Sequence, residues 1–377
     1  LKPDTGEYFR DPNAARYAAH PIQPAVQAVL HQNPKFVPHD VDIFTCSSVL
    51  GKLSKFVCGG EHTFRFIMEA VGNTVFFVRR EDSPTLFIPN VRGFGHNFID
   101  EYTTWDADVK GSTSHQRIIQ YKFGGLRFAV RFQSDCYHKK GKTKNKAKHT
   151  SGPLLDAFAD TSINATKLPD ESALRFKEGG RAVRQSDVCD IKTRYMRAFA
   201  TGAIRKEVNK TDVIPRLWVS QIPTLIAAFH DKGVFGDIRK QDVRKELAAW
   251  ESDHENSLRQ LATLLEILID TAMESNTPLE VCRSATGPLE IRLVVGEDSA
   301  TLPPKLKAIW AGGVQKAKHN GPKHALTCEP EANLIGLDED TDYDWDYTAW
   351  NNEDKKSPLD YTACDAEDCG YCGHCKY

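Results

Sequence analysis

Two short runs of this chain have a strand-like pattern and end in acids, and the second also carries a lysine. The first is Leu126-Arg-Phe-Ala-Val-Arg-Phe-Gln-Ser-Asp135, and the second is Arg184-Gln-Ser-Asp-Val-Cys-Asp190-Ile-Lys192-Thr-Arg194. Side chains two positions apart on a strand share a face, so Asp190 and Lys192 are expected to project together. If the two strands are neighbours, Asp135 joins them as a second carboxylate. Such a set suits phosphodiester hydrolysis. Magnesium or manganese would sit on Asp135 and Asp190, keep several waters and polarise a phosphate, while Lys192 would orient or deprotonate the attacking water. The plain alternative is two strand-end acids and a solvated cation.

The surrounding text supplies elements that could position these groups. Phe64–Val71 and Thr74–Arg80 read as a hairpin around Gly72-Asn73, and Ser114–Tyr121 with Leu126–Phe132 as a second hairpin turned by Gly124-Gly125. A helix is expected around Tyr195–Lys206 and an apolar strand at Thr224–Phe229. Apolar residues then recur at helical spacing from Ile238 to Met273, which predicts a long helix or a helix pair over the sheet. Leu279–Cys282 and Leu289–Val295 close the pattern as a late hairpin. The expected organisation is an N-terminal extension (1–59) packed on a core (60–310), then an acidic linker (311–360) and a small metal-binding tail (361–377). A basic insertion covers 138–170.

Composition limits the function classes. With 377 residues, 40% hydrophobic and 27% charged, the chain reads as globular, with length for two or three domains or one large α/β domain. Its 49 basic and 51 acidic residues give no global pull toward nucleic acid, so any such affinity must be local. One local source is the stretch 138–150, whose six lysines directly follow Asp135 and would add salt-sensitive attraction to a phosphate backbone. No apolar run reaches the roughly 18 residues that cross a bilayer, so no membrane association is expected. Cys46, Cys58, Cys136, Cys189, Cys282 and Cys328 stand singly, which suits buried thiols in a reducing compartment, nucleus or cytoplasm.

The remaining cysteines form a separate signal. Cys364, Cys369, Cys372 and Cys375 place four thiols in twelve residues, with Gly370 and Gly373 permitting tight turns. Zinc in a compact knuckle is the first expectation and an iron–sulfur cluster the second. Upstream, Asp338-Glu-Asp-Thr-Asp-Tyr-Asp-Trp-Asp346 begins like a calcium loop, but Tyr343 stands where that loop needs glycine, so the motif is rejected. A solvated linker is the plain reading, and a strip docking on the chain's own basic groove is the sharper one.

Residues 112–295 thus run strand, strand with acid, strand with acid-x-lysine, helix, strand, helix. That order resembles the core of the PD-(D/E)XK nuclease superfamily. More closely, the chain looks like the decapping exoribonuclease family, which removes defective or non-standard 5′ ends from RNA. Gly95-His-Asn-Phe-Ile-Asp-Glu101, Gln133-Ser-Asp135, Asp190-Ile-Lys-Thr193 and Pro223–Asp231 fall in the family's motif order, over roughly residues 60–295. The resemblance implies an α/β (α+β) fold with a central mixed β-sheet flanked by helices. It implies Asp135, Asp190, Lys192 and an acid from Asp100 or Glu101 as catalytic groups. Arg79, Arg80 and Arg194 would serve as phosphate clamps, with Gln133 and Gln221 as further substrate contacts. The implied partners are an RNA 5′ end and a protein such as an exoribonuclease. His96 and His115 lie near the site in sequence, with uninvolved histidines the ordinary reading. Gln133 departs from the pattern, because an amide stands where the family has a metal-binding glutamate. An active nuclease, a catalytically silent RNA- or protein-binding relative, and a DNA nuclease with an iron–sulfur tail therefore all stay open.

Overall fold

A computed structural model describes residues 1–88, 91, 93–139, 174, 176–196, 204, 207–294 and 300–312. The four-cysteine tail, the acidic run and nearly all of the basic insertion lie outside the described residues, as does most of the expected helix at 195–206.

A seven-stranded mixed sheet carries the fold, in the order β11-β10-β2-β3-β1-β5-β4. Its strands are β1 (Ile43–Cys46), β2 (Phe64–Val71), β3 (Thr74–Arg79), β4 (Gln116–Phe123), β5 (Leu126–Gln133), β10 (Leu279–Arg283) and β11 (Glu290–Leu293). The three expected hairpins are present and antiparallel. Gly124 and Gly125 take φ of 56° and 80°, which the turn between β4 and β5 requires. A side chain at Gly124 would also meet the Cβ of Ala262 at 2.5 Å, so the turn packs against helix as closely as glycine allows.

The expected boundary at residue 59 does not separate an extension from the core. β1 inserts between β3 and β5 and runs parallel to both, and the chain enters α3 (Ser47–Val57) directly from it. Because β1 is covered on both faces, all four of its residues are buried and it lacks the polar alternation that marks half-buried strands. Alternation divides the sheet's apolar residues between two layers. Ile43, Val75, Phe77, Phe128 and Val130 pack with α3, α5 (Lys210–Ser220) and α7 (Glu255–Glu274). Phe44, Phe76, Val78 and Ala129 pack with α2 (Gln23–Gln32) and α8 (Pro304–Trp310) on the other side.

A second sheet of four strands, β6-β7-β8-β9, leaves the first at Asp135. β6 (Cys136–Tyr137) pairs antiparallel with β7 (Val188–Tyr195), which pairs parallel with β8 (Thr224–Asp231). β9 (Val234–Asp242) closes the edge, so the helical period read from Ile238 begins only with α6 (Arg244–Asp253) and continues into α7. On the inner face, Val188, Leu225, Ala227 and Phe229 join the main core. On the outer face, Ile191 and Ala228 pack under Phe98 of α4 (Gly95–Tyr102). Among the described residues no helix is long and apolar enough to cross a membrane.

Candidate phosphate-binding site

Asp135, Asp190 and Lys192 meet, though not as neighbours in one sheet. Asp135 is the joint between sheets, and its carboxylate takes over where the β6–β7 ladder ends. Its Oδ2 accepts a hydrogen bond of 2.8 Å from the backbone N–H of Ile191, between Asp190 and Lys192. One residue off in register, the Asp135 carboxylate would lose β7. The three side chains line one cavity of about 130 Å³ at the seam between the sheets.

The same wall holds groups that the sequence reading did not single out. Arg216 projects from α5, and its Nη2 reaches Asp190 Oδ1 at 2.8 Å and Oδ2 at 2.9 Å. Lys192 Nζ stands 3.7 Å from Asp190 Oδ2, and Lys192 is 2% exposed. Asp190 is thus a buried carboxylate facing two cations, the arrangement in which a buried charge is tolerated. Arg79, one of the expected phosphate clamps, also lines the cavity, and Arg10 and Arg131 add two further cations, against Asp11, Asp135 and Asp190. Asp11 is already engaged at the start of α1 (Pro12–Arg16), accepting from the N–H groups of Asn13 and Ala14 at 3.0 and 3.1 Å. Arg79 pairs with Glu81 at 2.5 Å, and Arg131 donates to the carbonyl of Pro21 at 3.1 Å. Cys46, Ser47 and Ser48 bring the N-terminus of α3 to the cavity, where no side chain caps it. Helix N-terminal N–H groups favour anions.

Local order holds α5 in place. Gln185 Nε2 donates to the carbonyls of Ser220 and Gln221 at 2.9 and 3.0 Å, and Arg117 Nε on β4 donates to Gln185 Oε1 at 3.2 Å. Tyr121 donates its hydroxyl to the Val219 carbonyl, 3.1 Å away. Arg216 is therefore tied to the first sheet while it touches an acid of the second.

Several expected site residues lie elsewhere. Asp100 and Glu101 are exposed on α4. Phe98 of that helix packs on Ile191, whose side chain alternates away from Asp190 and Lys192, so both acids sit on the opposite face of β7 from the cavity. Arg80 faces Glu280 at 3.8 Å, outside the cavity lining. Arg194 donates to the carbonyl of Thr193, and it too is absent from the lining. Gln221 takes the left-handed conformation after α5 (φ 52°) and its Nε2 donates to Trp218 O at 2.6 Å, a helix-ending role rather than a substrate contact. Gln133 does line the cavity, its Oε1 accepting from Gln116 Nε2 at 3.1 Å. His96 stacks on Tyr8 at 4.0 Å, and burial followed by the Arg117 charge lowers the His115 pKa; neither lines the cavity.

This donor set does not fit the divalent metal expected on Asp135 and Asp190. Among the described residues, no group of three or more His, Cys, Asp or Glu side chains is placed to hold a metal ion. The two acids that meet here are spoken for by the Ile191 amide and by Arg216 with Lys192, and Gln133 adds no charge. Five cations around three carboxylates suit an anion better than a cation.

The family described as "Domain of unknown function (DUF8563)" matches residues 1–282. The chain belongs to that family. No curated protein matches it in sequence. Among solved structures it is similar to Scheffersomyces stipitis Rai1 in complex with (3′-NADP)+ and calcium ion, at TM-score 0.51 and 12% identity over 81% of this chain and 86% of that one. It is also similar to Candida albicans Rai1 in complex with pU5-Mn2+, at TM-score 0.50 and 9% identity over 82% and 87%. The mixed α/β core therefore shares the fold of these Rai1 structures.

Proposed function

We propose that this chain takes the 5′ end of an RNA into the seam between its sheets and holds the terminal phosphate there. The observation that carries this reading is the cavity wall itself. Arg10, Arg79, Arg131, Lys192 and Arg216 converge beside the N-terminus of an eleven-residue helix, α3. Clustered guanidinium groups and helix N–H groups recognise phosphate oxygens through charge-assisted hydrogen bonds. The similar Candida albicans structure holds a 5′-phosphorylated pentauridine and the Scheffersomyces stipitis structure a dinucleotide, which supports RNA ends as the ligand class.

The test is fluorescence anisotropy with short oligouridines that differ only at the 5′ end. Binding of the 5′-monophosphate about tenfold or more tighter than the 5′-hydroxyl supports the reading, since each lost charge-assisted contact is worth about 1.5–3 kcal/mol. Equal binding, or none, overturns it.

Hydrolysis is the second reading, favoured by the meeting of Asp135, Asp190 and Lys192 on one wall. It expects manganese-dependent release of products from 5′-modified RNA that Lys192→Ala abolishes. Release only by Gln133→Glu would make the native chain a silent, end-binding relative. Zinc on Cys364, Cys369, Cys372 and Cys375 is a separate proposal, read out by metal analysis of the purified chain. A brown preparation would point to iron and sulfide instead.

A further inference from the structure

The cavity's acids and its cations are usually read as parts of two different machines, one that binds a metal and one that binds phosphate. Here a single contact joins them. Arg216 places one nitrogen on both oxygens of Asp190, at 2.8 and 2.9 Å, and Lys192 approaches Oδ2 from the strand itself at 3.7 Å. Both oxygens of the carboxylate are covered by protein cations, in a site where Asp190 is 8% exposed. The next acid, Asp135, is turned to the Ile191 amide, and the same wall carries the neutral Gln133. A divalent ion needs several oxygens with enough negative charge to offset its own. This wall offers it a neutralised carboxylate, a backbone-bonded carboxylate and an amide.

We propose that Arg216 is a resident cation, holding at Asp190 the charge that a divalent metal would supply, so that the cavity binds a terminal phosphate without metal. The proposal deepens the phosphate-binding reading given above and rests on it for the ligand, but its claim about metal stands on Arg216, Asp190 and Gln133 alone. The geometry supports a permanent role. The backbone that carries Arg216 is fixed, because the C-terminal carbonyls of α5 are held by Gln185 and Tyr121, and leaving the buried Asp190 carboxylate without its partner would be costly. It also explains how a carboxylate can line a phosphate site, since a lone acid there would repel the ligand.

Two measurements decide the matter separately. The first is titration of the full chain with Mn2+, followed by electron paramagnetic resonance. The wild-type cavity is expected to take up no Mn2+ that Gln133, Asp135 or Asp190 substitutions displace. Arg216→Met combined with Gln133→Glu is expected to gain a Mn2+ site, with affinity raised about tenfold or more over wild type and a melting temperature that Mn2+ restores. Arg216→Lys, which keeps a cation, is the foldable control and should gain none. Tight Mn2+ binding by the wild type that Asp190→Asn abolishes overturns the proposal whether or not any variant folds.

The second measurement is binding of 5′-phosphorylated oligouridine in EDTA and in Mn2+. Equal affinity in the two supports the proposal, and a loss of about tenfold or more in EDTA overturns it. If no RNA binds in either condition, the phosphate-binding function fails, and with it the ligand half of the proposal. The Mn2+ titration still settles the metal half.

Discussion

From the inner face of β7, Asp190 and Lys192 project into the cavity among Arg216, Arg131 and Asp135. One residue away, Cys189 and Ile191 project outward, toward Cys136, Phe98 and the amphipathic helix α4. The inner face is a charged wall in which Asp190 is paired with Arg216 and Lys192 and cations outnumber acids. The outer face is ordinary apolar packing, and its pair of thiols, Cys136 opposite Cys189, is a local affair in which the Cys189 sulfur and burial hold the Cys136 thiol protonated. The contrast shows that the motif Asp190-Ile-Lys192 divides its labour by parity alone: the odd residue fixes the strand, and the even residues face the cavity. Any acid that reaches β7 from the outer side, as Asp100 and Glu101 do, cannot join the chemistry of the inner one.

The largest expected effects compare the two faces directly. Asp190→Ala leaves Arg216 and Lys192 without their shared carboxylate and should cost about 3–5 kcal/mol in urea unfolding. A loss under about 1 kcal/mol would mean that the cluster is solvated after all. Phe98→Ala on the outer face should cost a similar amount, about 3–5 kcal/mol, by leaving a void. It should nevertheless preserve the preference for a 5′-phosphate, and if that preference disappears the faces are coupled. Next in size, Lys192→Met should weaken binding of 5′-phosphorylated RNA by about 1.5–3 kcal/mol while hardly changing binding of the 5′-hydroxyl form. Asp100→Asn and Glu101→Gln should each shift stability by no more than about 0.5 kcal/mol and leave RNA binding unaltered.

Much of the inner face was legible in the sequence, because period-2 alternation is local. Asp190 and Lys192 had to share a side of any strand through Ile191, and the glycine turns at 72 and 124–125 fixed the hairpins that lead to Asp135. Arg216 was not legible. Its contact with Asp190 joins a helix to a strand 26 residues away in the chain, and nothing in Arg-Leu-Trp-Val-Ser-Gln marks which helical face turns to the acid. Arg10 and Asp11 were hidden for the same reason, since the N-terminal stretch reaches the cavity only through tertiary folding. Asp100 and Glu101 misled because a motif's order along the chain does not reveal on which side of a strand its helix lands. The short buried strand Ile43–Cys46 lacked any polar alternation, so the central position of β1 carried no periodic signal.

A further expected effect, confined to acid pH, lies away from both faces. Burial, outweighing the hydrogen bond to the Lys52 carbonyl, lowers the pKa of His62 to about 4. The unfolded chain then binds the extra proton more readily than the folded one. Stability from this group is full above the ordinary histidine pKa of about 6.5 and is lost as pH falls toward 4. His62→Gln should flatten that acid limb in urea titrations at several pH values without touching RNA binding. An unchanged limb would assign it to other groups.

The most direct measurement is a crystal structure of the chain with a 5′-phosphorylated oligouridine and no added divalent metal. The terminal phosphate is expected in the seam between the sheets, within hydrogen-bond distance of Lys192 or Arg216, with Arg216 still on Asp190. A phosphate bound anywhere else, or one seated here only when a metal ion has displaced Arg216 from Asp190, would contradict the account.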